Sequence, residues 1–394
     1  MLDLIEDIRH ALDDNSFAVG IFIDLQKAFD TVDHKILLHK LDYYGIRGIA
    51  NDWIKSYLTN RKQFVSINGF DSSINIMKFG VPQGSVLGPL LFLIYINDLH
   101  TAIKYCTTRH FADDTSLLIK NKSLKQIKKY VNLDLRNLCK WLKSNKISLN
   151  ANKTELLVFR HPNKVLNYDL KIKIDGKKLF PSDYVKYLGI LIDSHLKWNY
   201  QTDTLASKLS RAIGMLSKIR HYVSINTLRS IYYGIFSSIL TYGCQIWGQV
   251  QNKNVNRVIK LQDKAIRIIN FAHFNATTKI LYYNSKILKF SDIVILSNFA
   301  YVHNSLKDNL PSVLNNNFFF SKNVHNYNTR GSSLNKIMLP KAKTNVYGLK
   351  SIRYASSIAW NNIVSCFGDT NLLMKSKHYC KKVITQHLLE MGTI

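Results

Sequence analysis

The chain has 394 residues, 46% hydrophobic and 11% aromatic, enough to bury a large core and to build two or three domains. Its 54 Lys plus Arg outweigh 26 Asp plus Glu, and this net charge of +28 calls for a polyanionic partner, nucleic acid before all others. The longest apolar run, Val86 to Ile96, is far shorter than the roughly 20 residues of a spanning helix, the acidic opening Met1 to Asp7 does not resemble a secretory signal, and five scattered cysteines exclude a zinc knuckle or disulfide framework.

Leu2, Ile5, Ile8 and Leu12 form one helical stripe that Asp13-Asp14-Asn15-Ser16 ends. The run Ala18 to Ile23 is continuously apolar, as a strand buried on both faces requires, and it ends in Asp24. Asp33 is placed to cap a helix through Leu41 that Gly45 terminates, and Trp53, Ile54, Tyr57 and Leu58 mark a second helix. Lys62 to Ile67 and Ile74 to Phe79 read as a β-hairpin about Asn68-Gly69. Val86 to Ile96 predicts a buried core helix, with Pro89 near its start.

Phe111-Ala112-Asp113-Asp114 then sets two adjacent carboxylates at the tip of an otherwise apolar hairpin. Adjacent carboxylates repel one another and resist desolvation, which bound cations relieve. If the strand ending in Asp24 lies beside this hairpin, the three aspartates converge, and their hard oxygens suit magnesium or manganese rather than zinc. Two plainer readings stand beside this one: Asp-Asp as ordinary turn chemistry, and Asp24 as a helix cap.

Leu124, Ile127, Val131, Leu135, Leu138 and Leu142 share one face of a long helix, with Lys125, Lys128 and Lys129 mostly opposite. Short strands are expected at Glu155 to Phe159, Leu170 to Ile174 and Val185 to Ile192, with Asp175-Gly176 as a turn. After Asp193 the pattern becomes helical: Leu205 to Leu216, Leu228 to Ile239 and Val258 to Ile268. Beyond about Asn275 the signal weakens, and Asn315-Asn316-Asn317 suggests a loop.

Five segments follow one another in order: Ile23-Asp24-Leu25-Gln26-Lys27-Ala28-Phe29-Asp30-Thr31-Val32-Asp33-His34, Gly80-Val81-Pro82-Gln83-Gly84-Ser85-Val86-Leu87-Gly88-Pro89, Phe111 to Asp114, Leu149-Asn150-Ala151-Asn152-Lys153-Thr154, and Tyr187-Leu188-Gly189. Together they resemble the polymerase motifs of reverse transcriptases from non-LTR retrotransposons of the jockey type. The resemblance implies an α+β fold: a right-hand polymerase palm, with an antiparallel sheet packed on helices and partial fingers over 1–192, followed by an all-helical thumb over 193–275. Residues 276–394 remain a C-terminal region of unassigned role, although His325 to Arg330 and Trp360-Asn361 are weakly similar to the same elements.

The implied activity is RNA-directed DNA synthesis, by two-metal nucleotidyl transfer to a primer 3′-hydroxyl. Its partners would be an RNA template, a DNA primer and deoxynucleoside triphosphates, with two Mg²⁺ or Mn²⁺ as cofactor. Asp24, Asp113 and Asp114 would hold the metals, and Lys153 would act on the leaving pyrophosphate. Leu25, Phe29, Gln83 and Gly84 would contact the incoming nucleotide, Phe29 by excluding a 2′-hydroxyl, and Tyr187, Leu188 and Gly189 would form a primer grip. Phe29 equally fits a buried stop after the strand, Gly80 to Gly84 a turn capping a helix, and Lys153 a surface charge. Complete family members carry fingers and an endonuclease upstream, so a chain truncated at its N-terminus is expected. A retroelement relic that binds nucleic acid without catalysis is the alternative. Intracellular action is expected from the sequence, and nuclear action from the resemblance alone; no membrane partner is expected, and no protein partner is readable from the sequence.

Overall fold

The computed structural model describes every residue except 165–169, 250–252, 316, 322–334, 368–371, 373–374 and 392–394. His325 to Arg330 and Asn316 therefore lie outside the described residues. Two compact units emerge: Ser16–Leu188, and Met1–Asn15 together with Gly189–Ile394. The opening helix α1 (Leu2–Asp13) belongs to the second.

In the first unit β1 (Phe17–Ile23) is followed by α2 (His34–Tyr43) and α3 (Ile49–Leu58). Asp33 caps α2, its carboxylate accepting from the backbone N–H of Lys35 and Ile36. Next come β2 (Lys62–Gln63), β3 (Ser66–Ile67), β4 (Phe70–Asp71) and β5 (Asn75–Ile76). β2 pairs with β5 and β3 with β4, and the positive φ of both Asn68 and Gly69 makes the tight hairpin expected there.

The helix predicted from Val86 to Ile96 forms as α4 (Leu87–Ile96), but it is buried on one face only. Leu91, Phe92, Tyr95 and Ile96 enter the core, whereas Val86, Leu90 and Leu93 are exposed. Uniform apolarity identifies a helix without saying how much of its circumference finds a partner.

β6 (Thr107–Phe111) and β7 (Asp114–Asn121) form the carboxylate hairpin, followed by α5 (Leu124–Ser144), β8 (Glu155–Phe159), β9 (Ile172–Ile174), β10 (Lys177–Leu179), β11 (Pro181–Ser182) and β12 (Tyr184–Tyr187). The sheet order is β11-β8-β1-β7-β6, antiparallel except for the parallel edge pair β11–β8. β1 is the central strand, which accounts for its unbroken apolar sequence.

Side-chain alternation divides the sheet into two faces. Val19, Ile21, Ile23, Leu117 and Ile119 share a core with Ile127, Val131 and Leu135 of α5. Each such aliphatic contributes roughly 2 kcal/mol by leaving water. The other face carries Phe22 and Ser116 against the ring and hydroxyl of Tyr187. The single strand expected over Val185 to Ile192 breaks at Leu188-Gly189, both at positive φ, so β12 stops at Tyr187.

The second unit contains β13 (Ile190–Asp193), α6 (Asn199–Ile219), α7 (Ile225–Ile231), α8 (Ser238–Thr241), α9 (Cys244–Trp247), α10 (Lys253–Ile269), α11 (Thr278–Asn284), α12 (Phe290–Leu306), α13 (Ile352–Phe367) and α14 (Lys377–Met391). A π-helical stretch, Tyr232–Ser237, joins α7 to α8 and stacks Tyr232 on Phe236 at 5.1 Å. Trp247 is fully buried on Phe290, and Trp360 on Phe299, each pair 4.9 Å apart. Helix α1 is held here through polar groups. Arg9 donates to the carbonyls of Ile246 and Lys350, and Asp13 accepts from the N–H of Lys343 and Thr344. Cys106, Cys139, Cys244, Cys366 and Cys380 form no disulfide, and no described helix is long and apolar enough to cross a membrane.

Candidate active site

Asp24 is the first residue beyond the central strand. In β1, Ile23 pairs with Thr115 of β7, so the next register position sets Asp24 opposite Asp114. On its other side the backbone carbonyl of Asp24 accepts from Asn150 N–H at 2.9 Å, Gln26 N–H donates to the Ser148 carbonyl at 2.8 Å, and Leu25 bridges Leu149. The first and fourth motifs are thus joined through their backbones. Between them lies a cavity of about 360 Å³, bordered by Asp24, Leu25, Lys27, Thr31, Asn150 and Lys153 among others. Lys153 is exposed there. The side chain of Leu25 is buried in the core, which leaves its backbone to face the cavity.

Asp113 stands at the tip of the β6–β7 turn. Phe111 pairs directly with Asp114, so the turn is the two residues Ala112 and Asp113, with Ala112 at a positive φ. Asp113 and Asp114 are both exposed. Partial desolvation, then the negative charges of Asp113 and Asp24, push the Asp114 carboxyl above its ordinary range. Asp114 therefore feels the charge of both other aspartates, and a cation would relieve that repulsion. Among the described residues no three His, Cys, Asp or Glu side chains converge into a metal cage. Magnesium commonly takes only one or two carboxylates and completes its shell with water and substrate phosphate, so this donor set fits such an ion.

Phe29 lies in a short 3₁₀ turn, half-buried, its ring 4.5 Å from that of Phe92. Its carbonyl accepts from Val81 N–H, which ties the first motif to the second. Gly80 is the close contact between them: it has φ +87°, and a Cβ there would sit 2.8 Å from the Asp30 carbonyl oxygen. Only glycine combines that backbone with that approach. Gln83 and Gly84 are exposed, and the Gln83 amide donates to the Asp30 carboxylate at 2.8 Å.

Tyr187 is buried on the carboxylate side of the sheet, accepting from Ser116 Oγ at 3.2 Å, and burial pushes its phenol up. Leu188 supplies the turn, and Gly189 lies in the second unit, where a Cβ would be 3.4 Å from the Tyr242 ring. Asp30, Lys27 and Thr31 carry no role in the sequence reading, although all lie inside its first motif. Spacing alone does not distinguish which positions of a loop face a cavity.

The family described as reverse transcriptase (RNA-dependent DNA polymerase) matches residues 2–192. The RNA-directed DNA polymerase from mobile element jockey of Drosophila melanogaster is 28% identical over 298 residues, covering 72% of this chain and 31% of the relative. The probable RNA-directed DNA polymerase from transposon BS of the same organism is 31% identical over 283 residues, covering 68% and 30%. The chain thus spans about a third of the length of the relatives it matches. Among solved structures, telomerase from Candida albicans aligns at 12% identity and a TM-score of 0.37, over 71% of this chain and 52% of that one. With its motifs in order along residues 24–189, the chain carries a reverse transcriptase domain over residues 2–192 and is similar to the RNA-directed DNA polymerases of jockey and other non-LTR retrotransposons.

Proposed function

We propose that this chain performs RNA-directed DNA synthesis, extending a DNA primer on an RNA template with deoxynucleoside triphosphates. The observation that carries the reading is the register that ends β1 at Asp24 opposite Asp114, beside the Asp113 turn and across a cavity from Lys153. In the reaction the primer 3′-hydroxyl attacks the α-phosphate, and pyrophosphate leaves. Asp24 and Asp113 would be the principal holders of two Mg²⁺ or Mn²⁺, with Asp114 beside them. When bound, such ions supply charge stabilisation at the attacking and leaving oxygens.

The chain's own groups do the remaining work. Lys153, exposed at the cavity, meets the negative charge of the departing pyrophosphate and can give it a proton. Gln83, steadied by Asp30, offers an amide to the incoming nucleotide, with Gly84 leaving its path open. Phe29, braced on Phe92, would reject a ribose 2′-hydroxyl by steric contact, and Leu25 would present its backbone. Tyr187, Leu188 and Gly189 would seat the primer end, Tyr187 being anchored two residues from Asp114 through Ser116. Nuclear action follows from the resemblance alone, and localising a tagged chain tests it.

Primer extension by the purified chain on an RNA template, with Mg²⁺ present, tests the reading. Weak but measurable synthesis is expected, and Asp113→Ala is expected to abolish it. Undiminished synthesis in that variant sinks the carboxylate assignment. Tight nucleic-acid binding without any extension would favour the non-catalytic relic instead.

A further inference from the structure

A second concave surface lies on the other side of the sheet. It is a groove of about 1020 Å³ between α5 and the β9–β10 hairpin, away from the carboxylates. Fourteen described residues line it, of which eight are Lys or Arg and one is acidic, a far steeper bias than the 54 to 26 of the whole chain. Helix α5 contributes Lys125, Lys129, Arg136, Lys140 and Lys143 to it, all exposed. Lys125 and Lys129, like Arg136 and Lys140, stand four residues apart, a like-charge spacing that destabilises a helix. The opposite wall repeats the pattern: Ile172 and Ile174 of β9 point into the core, leaving Lys171 and Lys173 outward.

The two walls are locked together. Asn132 of α5 donates to the Lys171 carbonyl at 3.3 Å and accepts from Lys173 N–H at 2.9 Å. The acid that answers the cluster, Asp175, is 3.5 Å from Lys143. Unlike a solvated helix face, this is a shaped, two-walled concentration of positive charge with its register set by hydrogen bonds. Among the described residues its lining contains no aromatic ring, and so none of the stacking platforms that grip unpaired bases. Nor does an exposed large apolar side chain line it among the described residues, so none of these would insert into a lipid surface. The chemistry that remains is sequence-independent contact with closely spaced phosphates.

The geometry points to a second nucleic-acid site in this groove, one that holds the phosphate backbone of a base-paired segment, such as an RNA hairpin, apart from the strand at the carboxylates. Val19, Ile21 and Ile23 face α5, whereas Phe22 and Ser116 face Tyr187, so the sheet separates the two sites. The site would tether a structured region of nucleic acid while another region is copied. Its binding requires neither metal nor nucleotide, so it can be tested apart from the proposed reaction.

The full chain is titrated in EDTA against a labelled RNA hairpin, an unstructured single strand of equal length, and vesicles containing anionic phospholipid. The groove variant K129Q/R136Q/K140Q/K171Q is compared with K208Q/K218Q/K260Q/K264Q, which removes the same charge from exposed positions on α6 and α10. Melting curves confirm that both variants fold, and a groove variant that melts early is replaced by K129Q/K140Q. Loss of hairpin affinity on the order of 50-fold in the groove variant, with a salt slope flatter by roughly 3, is the expected result. The control variant should lose several-fold less, and the single strand should bind more weakly than the hairpin. Equal losses in the two variants, tighter binding of the single strand, or a defect confined to vesicles would each overturn the site.

Discussion

At the candidate site of the sheet unit three carboxylates of the same sign gather at strand ends, exposed or half-buried; in the helical unit polar groups such as Gln262 and Asp193 are buried and answered by hydrogen bonds. Asp24, Asp113 and Asp114 illustrate the first case, the repulsion that the other two exert on Asp114 left for a ligand to relieve. Gln262 illustrates the second. Fully buried on α10, it donates to the Tyr232 hydroxyl and the Leu288 carbonyl and accepts from Phe290 N–H. Asp193 likewise takes three backbone N–H groups, from His195, Lys197 and Trp198. Burial lowers the Arg9 guanidinium to about 10, opposed by nearby Glu6, and two backbone carbonyls accept hydrogen bonds from it. A buried polar group with every bond made stabilises a fold, whereas a charge left exposed among its like is available to chemistry.

This contrast is open to direct attack. Replacing Asp24 by Asn should lower primer extension by roughly a thousandfold, the loss of several kcal/mol of transition-state stabilisation, while the melting temperature scarcely moves. A large drop in melting temperature would make Asp24 structural and erase the distinction. Gln262→Leu should do the reverse. Stranding three buried polar partners costs about 3 to 5 kcal/mol, read by denaturant unfolding, with amide protection lost along α10 and α12 before β1 and β7.

Gly80→Ala probes the join between the first two motifs. A Cβ against the Asp30 carbonyl, at a positive φ, should cost about 2 kcal/mol and displace Asp30 from Gln83, raising KM for the nucleotide more than it lowers kcat. An unchanged KM would detach Gln83 from the site. The smallest effect concerns Asp114. Because its folded pKa is raised, ionisation opposes folding: the penalty is absent below the ordinary value of 3.8 and complete only above the raised one. Asp114→Asn should therefore stabilise the metal-free chain at pH 7, within about 0.5 kcal/mol for so exposed a group, and not at pH 3. Mg²⁺ added at pH 7 should raise the wild-type melting temperature more than that of the variant.

Much of the candidate site's arrangement along the chain is legible in the sequence. The apolar run before Asp24 became the central strand, the Asp113-Asp114 pair fell at the tip of a hairpin with Asp113 in its two-residue turn and Asp114 opening β7, and the α5 stripe became a core face. What escaped was everything that depends on partners. Val86, Leu90 and Leu93 are as apolar as their buried neighbours yet face outward, because α4 has a packing partner on one side only. The grouping of α1 with the C-terminal unit rests on Arg9 and Asp13 reaching groups more than 200 residues away, which no local pattern announces. Asp30 as the holder of Gln83 is a contact across 53 positions.

By itself the sequence determined which residues could form strands and helices, where the carboxylates would stand along the chain, and which family its ordered motifs resemble. Those properties follow from periodicity, turn chemistry and charge, all of which are local. Tertiary structure alone decided that Asp24 would meet Asp114 in register, that Lys153 would share its cavity, and that eight basic residues from a helix and a hairpin would line one groove. Each of these is a juxtaposition of distant segments, set by strand pairing and by hydrogen bonds such as those of Asn132, and chain order does not encode it in any single stretch.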